Sequence, residues 1–127
     1  MSSRVTYLMA NYNYGRFLEG ALNSAINQTY DNLGIVLIND GCTDDSIEIL
    51  QSLLDSARSQ FVNNTEILQG KIRGRDILAV NLTQNHGPSY SRNVGIDLTI
   101  QNTDYFSCLD CDDENYPDKI EKSVKIL

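Results

Sequence analysis

Gly34-Ile35-Val36-Leu37-Ile38-Asn39-Asp40-Gly41 is a continuous apolar run closed by a polar turn, with no alternation along it. A strand with one wet face alternates apolar and polar residues. A strand that is apolar at every position is covered on both faces, as in a parallel sheet lying between helices. Working outward, Arg4 to Met9 reads as a preceding strand. Arg16 to Gln28 reads as the helix between them, with Phe17, Leu18, Ala21, Leu22, Ala25 and Ile26 at helical spacing. On the far side, Asp45-Ser46-Ile47-Glu48 has the form of a capping box. It opens a second helix that Ile47, Ile49, Leu50, Leu53, Leu54 and Ala57 carry toward Phe61. Residues 63–76 read as an irregular connection, with Lys71-Ile72-Arg73-Gly74-Arg75 a solvated basic loop. Ile77 to Leu82 then reads as a third strand, Pro88 to Thr99 as a third helix, Asp104 to Leu109 as a fourth strand and Pro117 to Leu127 as a fourth helix.

Strands alternating with helices predict an α/β domain, a mainly parallel sheet with helices on both faces. In such sheets ligands bind beyond the carboxyl ends of the strands. Those ends carry Asn11-Tyr12-Asn13, Asn39-Asp40-Gly41, Gln84-Asn85-His86-Gly87 and Leu109-Asp110-Cys111-Asp112-Asp113-Glu114. All four polar turns are expected to meet at one crevice. No internal repeat, low-complexity segment or linker interrupts the pattern.

The last of these turns places four acids within five residues after a short apolar run. Adjacent carboxylates repel and raise one another's pKa unless a cation compensates them. Oxygen-only ligands at a strand end suit a hard divalent ion, Mg²⁺ or Mn²⁺, which would bridge to phosphate oxygens. The alternative is a solvated acidic turn ahead of a helix starting at Pro117-Asp118, where acids are welcome.

Bulk composition narrows the function classes. The 127 residues are 41% hydrophobic and 21% charged, enough for one core and too few for two domains of usual size. A formal net charge of -7 argues against nucleic acid as the partner, because that binding rests on clustered Lys and Arg. No run reaches the length of a membrane span and no signal-peptide pattern opens the chain, so a cytoplasmic setting is expected. Three cysteines, Cys42, Cys108 and Cys111, fit a reducing compartment and are no disulfide framework. A zinc site on the Cys108-x-x-Cys111 spacing has only Cys42 and His86 as remaining candidate ligands, a redox motif would open a helix rather than straddle a strand end, and Cys108 reads as a small core residue.

Neither a Gly-x-Gly-x-x-Gly turn nor a Walker loop is present, so phosphate binding must use another device. The motifs taken together resemble glycosyltransferase family 2, the inverting nucleotide-sugar transferases of the GT-A fold. They are Ala10-Asn11-Tyr12-Asn13 with Phe17-Leu18, Ser24 to Tyr30, Ile38-Asn39-Asp40-Gly41-Cys42-Thr43-Asp44, Asn85 to Ile96, and Leu109 to Asp113 with Pro117-Asp118-Lys119. Five motifs in order over nearly the whole chain are far more specific than any one of them. The resemblance implies a Rossmann-like, nucleotide-binding half of a GT-A domain over residues 1–127.

By the same resemblance, Asp40 accepts the N3–H of a uracil-type base, while Tyr12 and the backbone near Ala10 frame base and ribose. An ionised carboxylate pairs with that imide N–H, whereas cytosine presents an acceptor there. A UDP-sugar is therefore the favoured donor. Asp110-Cys111-Asp112 is similar to the family's DxD motif, with Asp113 adding a carboxylate, so Asp110, Asp112 and Asp113 are the candidate ligands of Mg²⁺ or Mn²⁺, and Asp110 also faces the nucleotide. Gly87 precedes a helix whose first amides can face the nucleotide, with Arg92 one turn in; the alternative for Arg92 is a surface or sheet-packing role.

Two departures stand out. The family commonly has Pro-Thr or Pro-Ser before Tyr-Asn, where this chain has Ala10, and usually Asp where Asn39 stands. The first weakens a base or ribose contact; the second weakens the negative field beside Asp40 and shifts base selectivity. The general base that takes the acceptor proton in this family is expected beyond Leu127, so transfer to an unknown sugar, lipid or protein acceptor is not expected from this chain alone. Val124, Ile126 and Leu127 are then left as apolar surface suited to self-association. A non-catalytic nucleotide-sugar-binding module is the alternative reading.

Overall fold

A computed structural model describes residues 2–127. Its elements, in chain order, are β1 (Val5–Asn11), α1 (Gly15–Ile26), β2 (Leu33–Asp40), α2 (Ser46–Leu53), β3 (Asp55–Val62), β4 (Thr65–Ile72), β5 (Arg75–Leu82), α3 (Pro88–Thr99), a 3-10 turn (Ile100–Asn102), β6 (Tyr105–Cys108) and α4 (Lys119–Ile126). The strands form one sheet in the order β3-β4-β5-β2-β1-β6. β5, β2, β1 and β6 run parallel; β3 and β4 are antiparallel additions at one edge.

The central strand β2 is buried along its whole length, as an apolar run covered on both faces requires. Its side chains alternate between two cores. Leu33, Ile35 and Leu37 meet Tyr7 and Met9 of β1, Leu18, Leu22 and Ile26 of α1, Leu50 of α2 and Ile120 of α4. Val36 and Ile38 meet Leu8, Val80 and the α3 residues Val94 and Ile96 on the other side. Each such side chain, fully withdrawn from water, contributes about 1.5–3 kcal/mol. α3 comes close to the sheet because it has no side chain at Gly95, where a Cβ would stand 2.4 Å from Leu8 Cδ1.

The sheet has six strands where the sequence predicts four. α2 stops at Leu53, because Leu54 turns extended, rather than running on through Ala57 toward Phe61. The expected helix tail and irregular connection are instead β3 and β4. A two-residue turn joins β3 to β4, Asn63 and Asn64 at φ 51° and 65°, and another joins β4 to β5, Arg73 and Gly74 at φ 46° and 82°. Positive φ at both central positions is the turn whose twist suits an antiparallel hairpin. Lys71 to Arg75 is therefore a tight strand connection, not an open loop.

Smaller differences lie at element ends: α4 begins at Lys119, with Pro117 in the preceding turn, where its carbonyl accepts the Thr29 amide at 2.8 Å. Cys108, read from the sequence as a small core residue, is exposed, and Cys111 is the buried one of the pair. Ile126 and Leu127 are exposed, while Val124 packs in part on the core. No helix among the described residues is long and apolar enough to cross a membrane.

Candidate functional site

The carboxyl ends of the parallel strands open on a cavity of about 380 Å³. Its wall is formed by Ala10, Asn11, Tyr12 and Tyr14 after β1, Asp40 at the end of β2, Asn85, Gly87, Pro88 and Arg92 around the start of α3, and Asp110 and Asp112 after β6. Of the residues predicted from sequence, Ala10, Tyr12, Asp40, Gly87, Arg92, Asp110 and Asp112 all meet here; Asp113 lies just outside the wall.

Asp40 is 3% exposed, and its two oxygens are each held by the loop ahead of α3: Oδ1 accepts from the His86 amide and Oδ2 from the Gly87 amide, both at 2.9 Å. A carboxylate oxygen accepts more than one hydrogen bond, so each keeps a lone pair for the cavity. Gly87 N–H is also offered to Asn85 Oδ1 at 3.1 Å, whereas the His86 amide has Asp40 alone. The next residue, Gly41, sits at φ +69° with no room for a side chain: a Cβ would lie 2.4 Å from the Asn85 nitrogen. β2's turn and the 85–88 loop are thus locked together, and the His86 ring packs on Tyr90 of α3 with centroids 4.3 Å apart.

After β6 the chain keeps the strand's alternation for a few residues. The Leu109 amide donates to the Leu8 carbonyl at 3.0 Å; Leu109 and Cys111 are 4% and 0% exposed, while Asp110 and Asp112 point outward. The residue between the two aspartates is therefore an anchor, and burial, with the neighbouring Asp110, pushes the Cys111 thiol well above its usual range. The Asp113 amide then donates to the Asp110 carbonyl at 3.0 Å and closes the turn. Carboxylate oxygens of Asp110, Asp112 and Asp113 lie within 4.8 Å of one another, all exposed. Three hard oxygen donors at that spacing, free to adjust, fit a divalent cation such as Mg²⁺ or Mn²⁺. Arg92 Nη2 stands 3.4 Å from Asp110 Oδ1, the single cationic side chain in a wall that holds Asp40, Asp110 and Asp112.

A residue outside the predicted set braces the approach to the site. Asp44 Oδ2 accepts the Gly15 amide at 2.8 Å and its Oδ1 the Ser46 amide at 3.0 Å, so one side chain satisfies the first turns of both α1 and α2. The capping box read at Asp45 forms no side-chain cap; the cap comes from the residue before it. Partial burial pushes the Asp44 carboxyl up, but the Ser46 side chain and the Gly15 and Ser46 amides outweigh it and hold it below the ordinary carboxylate range. Tyr14, 38% exposed, is a second missed residue of the wall. The pair Asp44 and Gly15 is 29 positions apart, and no local pattern signals it.

Comparison with known proteins identifies the family of the whole stretch. The sequence model of the family described as "Glycosyl transferase family 2" matches residues 6–127. An uncharacterized glycosyltransferase of Haemophilus influenzae is 30% identical over 123 residues, covering 97% of this chain and 42% of the relative. Staphylococcus aureus TarS 1-349, solved in complex with UDP-GlcNAc, superposes with a TM-score of 0.73 at 18% identity over 96% of this chain and 30% of TarS 1-349. The mannosyltransferase PcManGT of Pyrobaculum calidifontis, solved with GDP-Man and Mn2+, gives 0.71 at 16% identity over 98% of this chain and 32% of its own. The chain thus spans less than half the length of each of these proteins.

Proposed function

The chain belongs to glycosyltransferase family 2, and from that premise we propose that residues 1–127 form the part that binds a nucleotide-diphospho-sugar, a UDP-sugar by preference, in the cavity at the strand ends. The observation that carries this reading is the convergence of Tyr12, Asp40, Gly87, Arg92, Asp110 and Asp112, from four separate turns, on one cavity of about 380 Å³. That size falls within the roughly 300–1,000 Å³ of small-molecule sites.

Each group has a distinct task. Tyr12, 46% exposed, offers a ring face to a base. Asp40, fixed by two amides, presents its remaining lone pairs to an imide N–H. Arg92 supplies a cation beside the diphosphate, in a wall whose other charged residues are all acids. Asp110, Asp112 and Asp113 would hold Mg²⁺ or Mn²⁺, which when bound screens the diphosphate and stabilises it as a leaving group. Transfer with inversion to a sugar, lipid or protein acceptor is assigned to the whole protein, in the cytoplasm.

Titration calorimetry of this chain with UDP tests the reading. Micromolar to millimolar binding in Mn²⁺ that weakens at least tenfold in chelator is expected, because the acids and the diphosphate repel without a cation. Asp112→Asn should weaken UDP in Mn²⁺ by about tenfold, the worth of one charged interaction, and leave the urea midpoint unchanged, since the side chain is exposed. UDP affinity equal with and without metal would remove the cation from the proposal; no UDP binding under either condition would remove the proposal.

A further inference from the structure

A row of polar side chains crosses the sheet beneath α1 and α2, from the cavity to the hairpin. The register aligns Asn11 with Asn39, Asn39 with Asn81 and Asn81 with Glu66. The three asparagines are 0%, 0% and 7% exposed. Asn11 Nδ2 donates to Asn39 Oδ1 at 2.8 Å, Asn39 Nδ2 to Asn81 Oδ1 at 2.8 Å, and Asn81 Nδ2 to Glu66 Oε1 at 2.9 Å. The Ser59 hydroxyl donates to Glu66 Oε2 at 2.7 Å at the hairpin end, and Asn11 Oδ1 accepts the Tyr14 amide at 3.0 Å at the cavity end.

A primary amide fits its place either way round, so the direction of such a ladder is set only at its ends. An ionised carboxylate accepts and never donates; a backbone amide donates and never accepts. Glu66 therefore requires the nitrogen of Asn81, which leaves the Asn81 oxygen for Asn39, the Asn39 oxygen for Asn11 and the Asn11 oxygen for Tyr14. Every link is satisfied in one direction only. Successive strand residues point to opposite faces, so Asn39 belongs to this ladder while its neighbour Asp40 belongs to the cavity.

We propose that Asn39 is a positioning residue: as a relay that both accepts and donates, it transmits the acceptor at Glu66 across four strands to hold Asn11, and through it the Tyr14 amide, at the cavity's rim. An acid at position 39 accepts on both sides. Asn81 would have to turn its nitrogen toward it, and the Asn81 oxygen would then face the Glu66 carboxylate with no proton between them. The amide at this position, where the resembled family usually has Asp, is required by Glu66 and does not depend on which ligand the cavity takes.

The test is a set of variants read by urea unfolding and by hydrogen exchange of the Tyr14 amide. Asn39→Asp should lower the folding constant by about 10- to 100-fold, the effect of a buried polar group left without its partner. Glu66→Gln alone should be nearly neutral, because a glutamine can offer its oxygen to Asn81. Added to Asn39→Asp, it offers its nitrogen instead and should restore most of the loss, whereas Glu66→Leu, which removes the charge without supplying a donor, should not. Glu66→Leu alone, far from the cavity, leaves the Tyr14 amide as the one remaining end that orients the ladder and should speed Tyr14 exchange by a few-fold relative to amides of α1, less than one hydrogen bond's worth. If Asn39→Asp fails to fold and the double variant with Glu66→Gln folds, the proposal stands. Additive effects of Asn39→Asp and Glu66→Gln, an unfolded double variant, or Tyr14 exchange unmoved by Glu66→Leu would overturn it.

Discussion

Replacing Asp40 by asparagine keeps the shape of the side chain and removes one acceptor. Both carboxylate oxygens are in use, at 2.9 Å from the amides of His86 and Gly87, on a residue only 3% exposed. The two losses are unequal. His86 N–H has no second acceptor, whereas Gly87 N–H already leans on Asn85 Oδ1 at 3.1 Å. The asparagine oxygen should therefore stay with His86 and its nitrogen turn toward Gly87. One charge-assisted hydrogen bond is worth about 1.5–3 kcal/mol. The Asn85 contact places Asp40→Asn near the lower end of that range, and Asp40→Ala, which loses both bonds, about twofold higher. With a urea slope of about 1–3 kcal/mol/M, the midpoint should fall by roughly 1 M for asparagine. Competition between UDP and CDP separates the two tasks of the carboxylate. If Asp40 also reads the base, the UDP preference should drop by about tenfold; if it acts only through the loop, both nucleotides should weaken together. A urea midpoint unmoved by Asp40→Asn would refute the clamp and with it the account of why this residue is buried.

Two further outcomes follow from local geometry. Gly41→Ala should destabilise by roughly 2–5 kcal/mol, a left-handed backbone adding about 1–2 and displacement of neighbouring backbone about 1–3, because its Cβ would meet Asn85 N at 2.4 Å and Gln84 C at 2.5 Å; Gly74→Ala, at φ +82° with nothing within 4 Å, should show only the first part in the same urea series. Asp44 titrates below the ordinary carboxylate range in the folded protein, so its contribution is complete above the unfolded value and is lost as pH falls through the folded one. In acid titrations followed by circular dichroism, the wild type's advantage over Asp44→Asn should be full near about pH 6 and should vanish below the carboxylate range, whereas a constant difference would disconnect the helix caps from that charge.

What could be read from the sequence, and what could not, follows from the range of the interactions that decide each part. The parallel strands announce themselves because burial on both faces leaves continuous apolar runs, and α3 is bounded by Pro88 at its start as expected. β3 leaves no such trace: all eight of its residues are exposed, so neither alternation nor an apolar run marks it. Its Ala57, following Leu53 and Leu54 at helical spacing, extends the α2 pattern by coincidence. The only local signals for the hairpin are the pairs Asn63-Asn64 and Arg73-Gly74, which tolerate positive φ, and the flanking charges of the second pair disguise it as a solvated loop.

The site divides along the same line. Its wall is legible because strand ends in a parallel sheet must converge, whatever the residues between them do. What fixes the wall in place is not, since Glu66 and Asn81 are 15 positions apart, Asn39 and Asn81 are 42 apart, and Asp40 and Gly87 are 47 apart. Each of these pairs is brought together only by strand order and register. Asn39 and Asp40 show the consequence: adjacent in sequence, they face opposite sides of β2, one in a sealed ladder and the other on the cavity. A charge difference at position 39 therefore bears on how the sheet's polar row is satisfied, and through Asn11 on the cavity's rim. The hairpin that the sequence conceals supplies the acceptor on which that row ends, so the least legible element of the fold bears on the geometry of its most legible site.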